Sequence, residues 1–307
     1  MIYTMTLNPS IDYLITLEHL QLGALNRIEH DAKFPGGKGI NVSRVLKRLG
    51  VDSRPLGFIG GFTGAYLERY LEAEQIRTDF VHVQEDTRIN VKLTTDVETE
   101  INGQGPMITK SEYEQLQVKI KYLPEGSTLI LSGSVPAALP ETTYEDLIKL
   151  CVENGVQFVV DAEGDLLQKA IAYRPFLIKP NHHELGGLFD VEITEPVAAI
   201  PYARQLVEQG AQNVIVSLAG KGAVFVNAEL ALISSVPVGE LQSSVGAGDS
   251  LVAGFLAKYL QTQDVEAAFK YGVATGSATA YSVGLTTKEK IEQLYPQVSI
   301  IERSEFL

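Results

Sequence analysis

The chain has 307 residues, 45% of them apolar and 21% charged, a balance that supplies a large core and excludes disordered and fibrous classes. Lys and Arg number 25 against 38 Asp and Glu, a formal charge of −13. The overall field therefore repels nucleic acid and anionic membrane, and neither is expected as a partner. A bound phosphate must be held by local amides and a few cations against that background.

The single cysteine, Cys151, excludes an internal disulfide and a cysteine-cluster metal site, and its apolar setting LIKLCVENG reads as core. The start, MIYTMTLNPS, lacks a basic stretch leading into an apolar one. No run reaches the roughly 18 apolar residues of a membrane span, so a soluble cytoplasmic protein is expected. An unbroken rhythm of elements, with no linker or short repeat, predicts a single domain over 1–307.

In chain order, strands are expected at Ile2–Leu7, Thr128–Leu131, Val156–Val160, Phe176–Ile178 and Asn213–Ser217. Helical stretches lie between them, among them Asn41–Leu49, closed by Gly50, and Thr142–Glu153, closed by Asn154-Gly155. Near-continuous apolar strands separated by helices predict an α/β, doubly wound, mainly parallel sheet with helices on both faces. Two regions break the rhythm. Tyr13–Leu17 with Asn26–Phe34, and Thr87–Ile101, alternate apolar and polar residues with no helix between, and Arg88 to Ile101 reads as a hairpin with one buried face. They read either as an extra edge hairpin or as a small β-sheet lid, inserted from about 10–35 and 87–104.

Ligands of open α/β sheets sit beyond the carboxyl ends of the strands. There the sequence delivers Asn8 to Asp12, Ser132-Gly133-Ser134, Asp161, Lys179-Pro180-Asn181 and Ser217 to Gly220. The strongest motif is SSVGAGDSLVAGF, in which Gly246, Ala247 and Gly248 lead into a helix with Asp249 in its first turn. Such a turn offers unpaired N–H groups and the positive end of a helix dipole to an anion. Asp249 could merely complement that dipole, or accept a proton from a hydroxyl that attacks a phosphate held there. With an ordinary carboxylate pKa near 3.9 it would be a weak base.

No Walker A loop occurs, and Asn8-Pro9 stands where a dinucleotide-binding glycine motif would follow the first strand. The run Gly36-Gly37-Lys38-Gly39-Ile40-Asn41 opens a second helix. A tight turn accounts for one or two of its glycines, and the rest suggest backbone pressed against a sugar contacted by Lys38 and Asn41. Arg88, Asn90 and Lys92 share one face of a strand by the period of two, either as plain surface or as a reader of phosphate and hydroxyls. Asn181 and Glu184, three apart at a helix start, suit a capping pair or outer-sphere holders of Mg²⁺. Adjacent His182 and His183 do not share a helix face and do not suggest zinc. Ser217 to Ala223 reads as a hairpin turn, and the small residues of Ala267–Ala280 suit close helix packing or a flat purine pocket.

In order, TLNPSID, GGKGINVSRVL, TRINVKL, LSGSVP, KPNHHEL, SLAGKGA and VGAGDSLVAGF resemble the motifs of the ribokinase-like, PfkB-type carbohydrate kinases. The resemblance spans residues 4 to 255 and covers essentially the whole chain. It implies ATP and Mg²⁺, and a substrate sugar that already carries a phosphate. It implies that Asp249 is the base and that the amides of Gly246, Ala247 and Gly248 hold the transferred phosphoryl group. Sugar contacts would come from Asp12, Gly37, Lys38 and Asn41, and the substrate's phosphate would lie on Arg88, Asn90 and Arg27. Lys179, Asn181, Ser217, Gly220, Gly222, Gly248, Ala274 and Ser277 would border the nucleotide, with Glu184 reaching Mg²⁺ through water. The lid would cover the sugar and could join two copies. Three departures stand out: Ala138 and Ala219 where such kinases usually have glycine, and Asp161-Ala162-Glu163-Gly164, which adds a carboxylate near the nucleotide phosphates. A rival reading on the same scaffold is a sugar-phosphate-binding regulator without catalysis.

Overall fold

The computed structural model describes residues 1–162 and 164–303. The N-terminal part runs β1 (Ile2–Thr6), β2 (Ser10–Thr16), β3 (His30–Gly36), α1 (Lys38–Arg48), β4 (Ser53–Gly60), α2 (Gly61–Ala73), β5 (Val81–Val83), β6 (Arg88–Thr94) and β7 (Glu98–Asn102). The middle part continues with α3 (Lys110–Lys121), β8 (Thr128–Ser132), α4 (Thr143–Glu153), β9 (Gln157–Asp161), α5 (Gly164–Ile171), β10 (Leu177–Ile178), α6 (His182–Phe189) and α7 (Pro196–Glu208). The last part holds β11 (Asn213–Ser217), β12 (Ala223–Asn227), β13 (Ala231–Ser234), α8 (Ala247–Thr262), α9 (Val265–Ala280), α10 (Lys288–Leu294) and β14 (Ile300–Glu302).

Ten strands form one sheet in the order β14-β13-β12-β11-β10-β9-β8-β1-β4-β5. It is parallel from β5 to β11 and antiparallel beyond. Side-chain alternation splits its apolar residues between two layers. On β8, Leu129 and Leu131 belong to the same apolar layer as Leu116 of α3, Leu147 of α4 and Ala203 of α7, while Ile130 belongs to the layer that holds Val45 of α1, Phe255 of α8 and Phe269 of α9. Both faces are therefore covered, which is what a parallel sheet with continuous apolar strands requires. Cys151 lies buried in the first of these layers.

The second sheet has the order β3-β2-β6-β7, with β2 parallel to β6 and the outer pairs antiparallel. Residues 26–29, expected in its second strand, precede β3 instead, and β7 is exposed at every position, so the expected buried face rests on β6 alone. Register puts Asp12 opposite Asn90, Asn90 opposite Asn102, and Lys92 opposite Glu100. Those five side chains belong to one face, because paired residues of neighbouring strands point the same way.

The glycines of the GGKG run have a reason inside the protein. A Cβ on Gly39 would lie 2.6 Å from the Met5 carbonyl oxygen, and one on Gly37, with φ +117°, 2.5 Å from Thr6. α1 thus starts pressed onto β1, and this close approach demands the small residues. The small residues of α9 have a similar cause: a Cβ on Gly272 or Gly276 would come within 2.9 Å of a backbone carbonyl of α8.

Candidate active site

A cleft of about 1350 Å³ lies between the carboxyl rim of the large sheet and the small sheet. The rim residues reach it because each parallel strand ends there: Ser132 from β8, Asp161 from β9, Lys179 and Asn181 after β10, Ser217 from β11. α8 points its N-terminus into the same space. Gly246, its N-cap, takes the left-handed conformation at φ +76° that a side chain would resist. Of the turn's amides, the Ala247 N–H donates to the Ser244 carbonyl at 3.3 Å. A Cβ on Gly248 would lie 3.1 Å from Lys179 Nζ. The buried Lys179 ammonium therefore sits directly beside this helix mouth.

Asp249 is 6% exposed, and its Oδ2 accepts a hydrogen bond from Asn41 Nδ2 at 2.9 Å. Burial, followed by the like charge of Asp161, pushes its carboxyl up to about 6 against the pull of Asn41, Lys38 and Lys179. The ordinary value expected from sequence is thus replaced by one suited to taking a proton near neutrality. Lys38 and Lys179 both reach the same Asp161 oxygen, at 3.2 and 3.4 Å. Burial opposes the Asp161 charge, but these two cations outweigh it and hold the carboxyl below its usual range. Burial likewise opposes the Lys38 charge, and Asp161, Asp249 and Glu184 more than compensate, which keeps it protonated.

Opposite this cluster stands the small sheet. Asp12 Oδ1 accepts from Ser10 Oγ at 2.8 Å and from Asn90 Nδ2 at 3.1 Å. Arg88 donates through Nε to the Asn8 carbonyl and through Nη1 to the Gly103 carbonyl, at 3.2 and 3.1 Å. Gly37, Lys38, Asn41, Asp12, Arg88 and Asn90 all border the cleft. Arg27 does not: it is exposed on the loop between β2 and β3 and lies outside the cleft lining. This face also carries Lys92 and Glu100, which are ion-paired at 2.5 Å.

At the far end, Ser217, Gly220 and Gly222 border the cleft. A Cβ on Gly222, at φ +100°, would strike the Ser234 carbonyl at 2.0 Å. Ala219, where glycine was the expectation, adopts φ +49°, so an alanine occupies a left-handed position. From α9 the cleft receives Val273, Gly276, Ser277 and Ala280. Ala274 is not among them. It is fully buried in the layer beneath the sheet, one residue and about 100° round the helix from the lining row. Val236 to Gly239, Leu241 and Tyr281, whose hydroxyl donates to the Pro237 carbonyl at 2.7 Å, complete this wall and carried no motif.

Asn181 and Glu184 form a true capping box: Glu184 N–H donates to Asn181 Oδ1 at 2.8 Å and Asn181 N–H to Glu184 Oε2 at 2.7 Å. Burial raises the Glu184 carboxyl, and the residue still borders the cleft. Among the described residues no cluster of three His, Cys, Asp or Glu could enclose a metal. One cleft-facing carboxylate beside an amide oxygen fits a hard cation that keeps most of its own waters, as Mg²⁺ does. His182 and His183 lie outside the cleft, against a neighbouring hollow. Glu163 lies outside the described residues. The described cleft residues bring together four cations (Lys38, Arg88, Lys92, Lys179) and five carboxylates (Asp12, Glu100, Asp161, Glu184, Asp249).

The family model described as pfkB family carbohydrate kinase matches residues 5–292. A 1-phosphofructokinase of Bacillus subtilis is 51% identical over 98% of this chain and 99% of its own. A D-tagatose-1-phosphate kinase of Bacillus licheniformis is 35% identical over 98% and 99%. Among solved structures, phosphofructokinase-2 from Escherichia coli in complex with fructose-6-phosphate superposes with a TM-score of 0.88 at 30% identity, over 96% and 98% of the two chains.

Proposed function

Since the chain belongs to the pfkB family of carbohydrate kinases, and is thereby a phosphotransferase acting on a hydroxyl group, we propose that it uses ATP to phosphorylate fructose 1-phosphate at C6, giving fructose 1,6-bisphosphate. The observation that carries this reading is the buried Asp249 carboxylate, held by Asn41 at the N-terminus of α8 and facing a small sheet that offers Arg88, Asn90 and Lys92. The choice of sugar is supported by the relative of 51% identity, a 1-phosphofructokinase.

In this reading Asp249, about nine-tenths ionised at pH 7 for a pKa of about 6, orients the C6 hydroxyl. The hydroxyl oxygen bonds to the γ-phosphorus of ATP, the bond to the β–γ bridging oxygen breaks, ADP leaves, and the hydroxyl proton passes to Asp249. The transition state is loose, so positioning and charge neutralisation dominate the rate. Lys179 and the Gly248 amide face the transferred group at the helix mouth, while Lys38 is held close by Asp161. Glu184 with Asn181 would hold Mg²⁺ through its waters, and the ion supplies neutralising charge on the nucleotide phosphates. Ser217, Gly220, Gly222 and Ser277 border the nucleotide; Asp12, Gly37 and Asn41 contact the sugar.

The small sheet acts as a lid over the sugar within a single domain, 1–307. Its face away from the cleft leaves Ile89 and Ile101 exposed beside Val91, which supports a homodimer joined through the lids. Among the described residues no helix is long and apolar enough to cross a membrane, and dependence on ATP suits the cytoplasm. An ADP-release assay over fructose 1-phosphate, fructose 6-phosphate, tagatose 1-phosphate and tagatose 6-phosphate tests the assignment. Fructose 1-phosphate should give the highest kcat/KM. A higher value for either tagatose phosphate, or for fructose 6-phosphate, would move the substrate; binding without turnover of any would make the protein a regulator.

A further inference from the structure

The lid face of the cleft has to accept a dianionic phosphate, yet its charge is almost balanced before any ligand arrives. Arg88 spends two of its donor nitrogens on the Asn8 and Gly103 carbonyls, which leaves it able to offer only part of its fork to a phosphate. Arg27 is exposed and outside the lining. The next cation on this face is Lys92, two strand positions from Asn90 and four from Arg88, on the same side of β6 by the period of two. Its side chain is only 13% exposed, yet it borders the cleft, and its Nζ is held at 2.5 Å by Glu100 directly across the β6–β7 rung. Glu100 is 42% exposed at the cleft margin, so it can turn away into water while Lys92 cannot.

Resting on the functional reading above, we propose that Lys92 is a phosphate-binding residue of the sugar site and that Glu100 is its exchangeable counter-ion. In the empty cleft Glu100 holds the ammonium in place and removes the cost of an unpaired, mostly enclosed cation. An arriving phosphate dianion displaces the Glu100 carboxylate, a monoanion, and takes its hydrogen bond. Competition with a built-in carboxylate favours ligands that bring more charge than Glu100 does, which selects phosphorylated sugars over neutral ones and against monoanionic acids.

Steady-state kinetics with separate titrations of fructose 1-phosphate and ATP test this. Lys92→Met should raise the KM for the sugar phosphate about 10- to 100-fold, as expected for losing a charge-assisted bond, with the KM for ATP moving less than about twofold. Lys92→Arg should recover most of the loss. Glu100→Gln should lower the sugar-phosphate KM, because the competing charge is gone while Lys92 remains. A purely structural rung would behave otherwise: Glu100→Gln would then raise that KM as Lys92→Met does, and either that result or an unmoved KM in Lys92→Met overturns the proposal. If wild-type protein turns over a different sugar phosphate best, the same split is read on that substrate. If it turns over none, the functional reading falls and this proposal with it.

Discussion

Replacing Asp249 by asparagine should make the protein slower and more stable at once. The carboxyl is 6% exposed and its pKa stands at about 6 against an ordinary 3.8. At 1.36 kcal/mol per pH unit, that separation means the ionised group destabilises the fold by about 3 kcal/mol at pH 7. The sign follows from the direction: a raised acid is charged in both folded and unfolded chains well above pH 6, so the cost is nearly complete by pH 7. It shrinks as pH falls from 6 towards 4 and is gone where the unfolded chain is also protonated. Asparagine mimics the neutral acid, keeps nearly the same volume and cannot ionise. Denaturant unfolding of wild type and Asp249→Asn should therefore differ by about 3 kcal/mol in favour of the variant at pH 7, with the gap closing near pH 4. In the same variant turnover should fall at least about 10²-fold, while ATP binding by calorimetry persists. A variant that is no more stable than wild type at pH 7, or one that turns over normally, would refute the argument that a strained, desolvated carboxylate drives the reaction.

Three further outcomes follow from neighbouring geometry. Wild-type kcat/KM should fall about tenfold between pH 7 and pH 5 as Asp249 protonates around pH 6; in Asp161→Asn the acid limb should move to lower pH, since a like charge is lost and Lys38 and Lys179 lose their counter-ion. A limb that stays put in that variant would assign it to a titrating substrate phosphate. Arg88→Ala should raise the KM for the sugar phosphate at least about tenfold more than that for ATP, and equal rises would place Arg88 outside the sugar site. Glu74→Ala should unfold the protein earlier without changing either KM by more than about twofold, because Arg44, 4% exposed, donates to both Glu74 oxygens at 2.7 and 2.8 Å. Leaving that cation uncompensated costs about 3–5 kcal/mol, a Tm loss on the order of 10 °C, and an unchanged Tm would show the pair to be dispensable.

Local signals carried the architecture because each depends on residues close in the chain. Apolar runs with a period of two or 3.6, the helix stops at Gly50 and Gly155, and the glycine turn before Asp249 were all readable from short windows. Side-chain roles were less legible wherever they depended on what lies across a gap. The glycines at 36–39 have Met5, Thr6 and Asp12 as their nearest neighbours within the protein, contacts that no short window shows. Ala274 and Ser277 read as one small-residue surface, but helix phase buries the first and turns the second to the cleft.

What the amino-acid order determined by itself was the alternation of strand and helix, and with it the rim to which Asn8, Asp161, Lys179 and Ser217 are delivered. Only the folded chain decided which charges meet there. Asp161 and Asp249 are 88 positions apart in number, and Lys38 lies far from both in sequence, so no short-range pattern can report that they share one desolvated space. The elevated Asp249 carboxyl is a product of that enclosure: electrostatic coupling depends on distance through space and on excluded water, and neither is written in sequence separation.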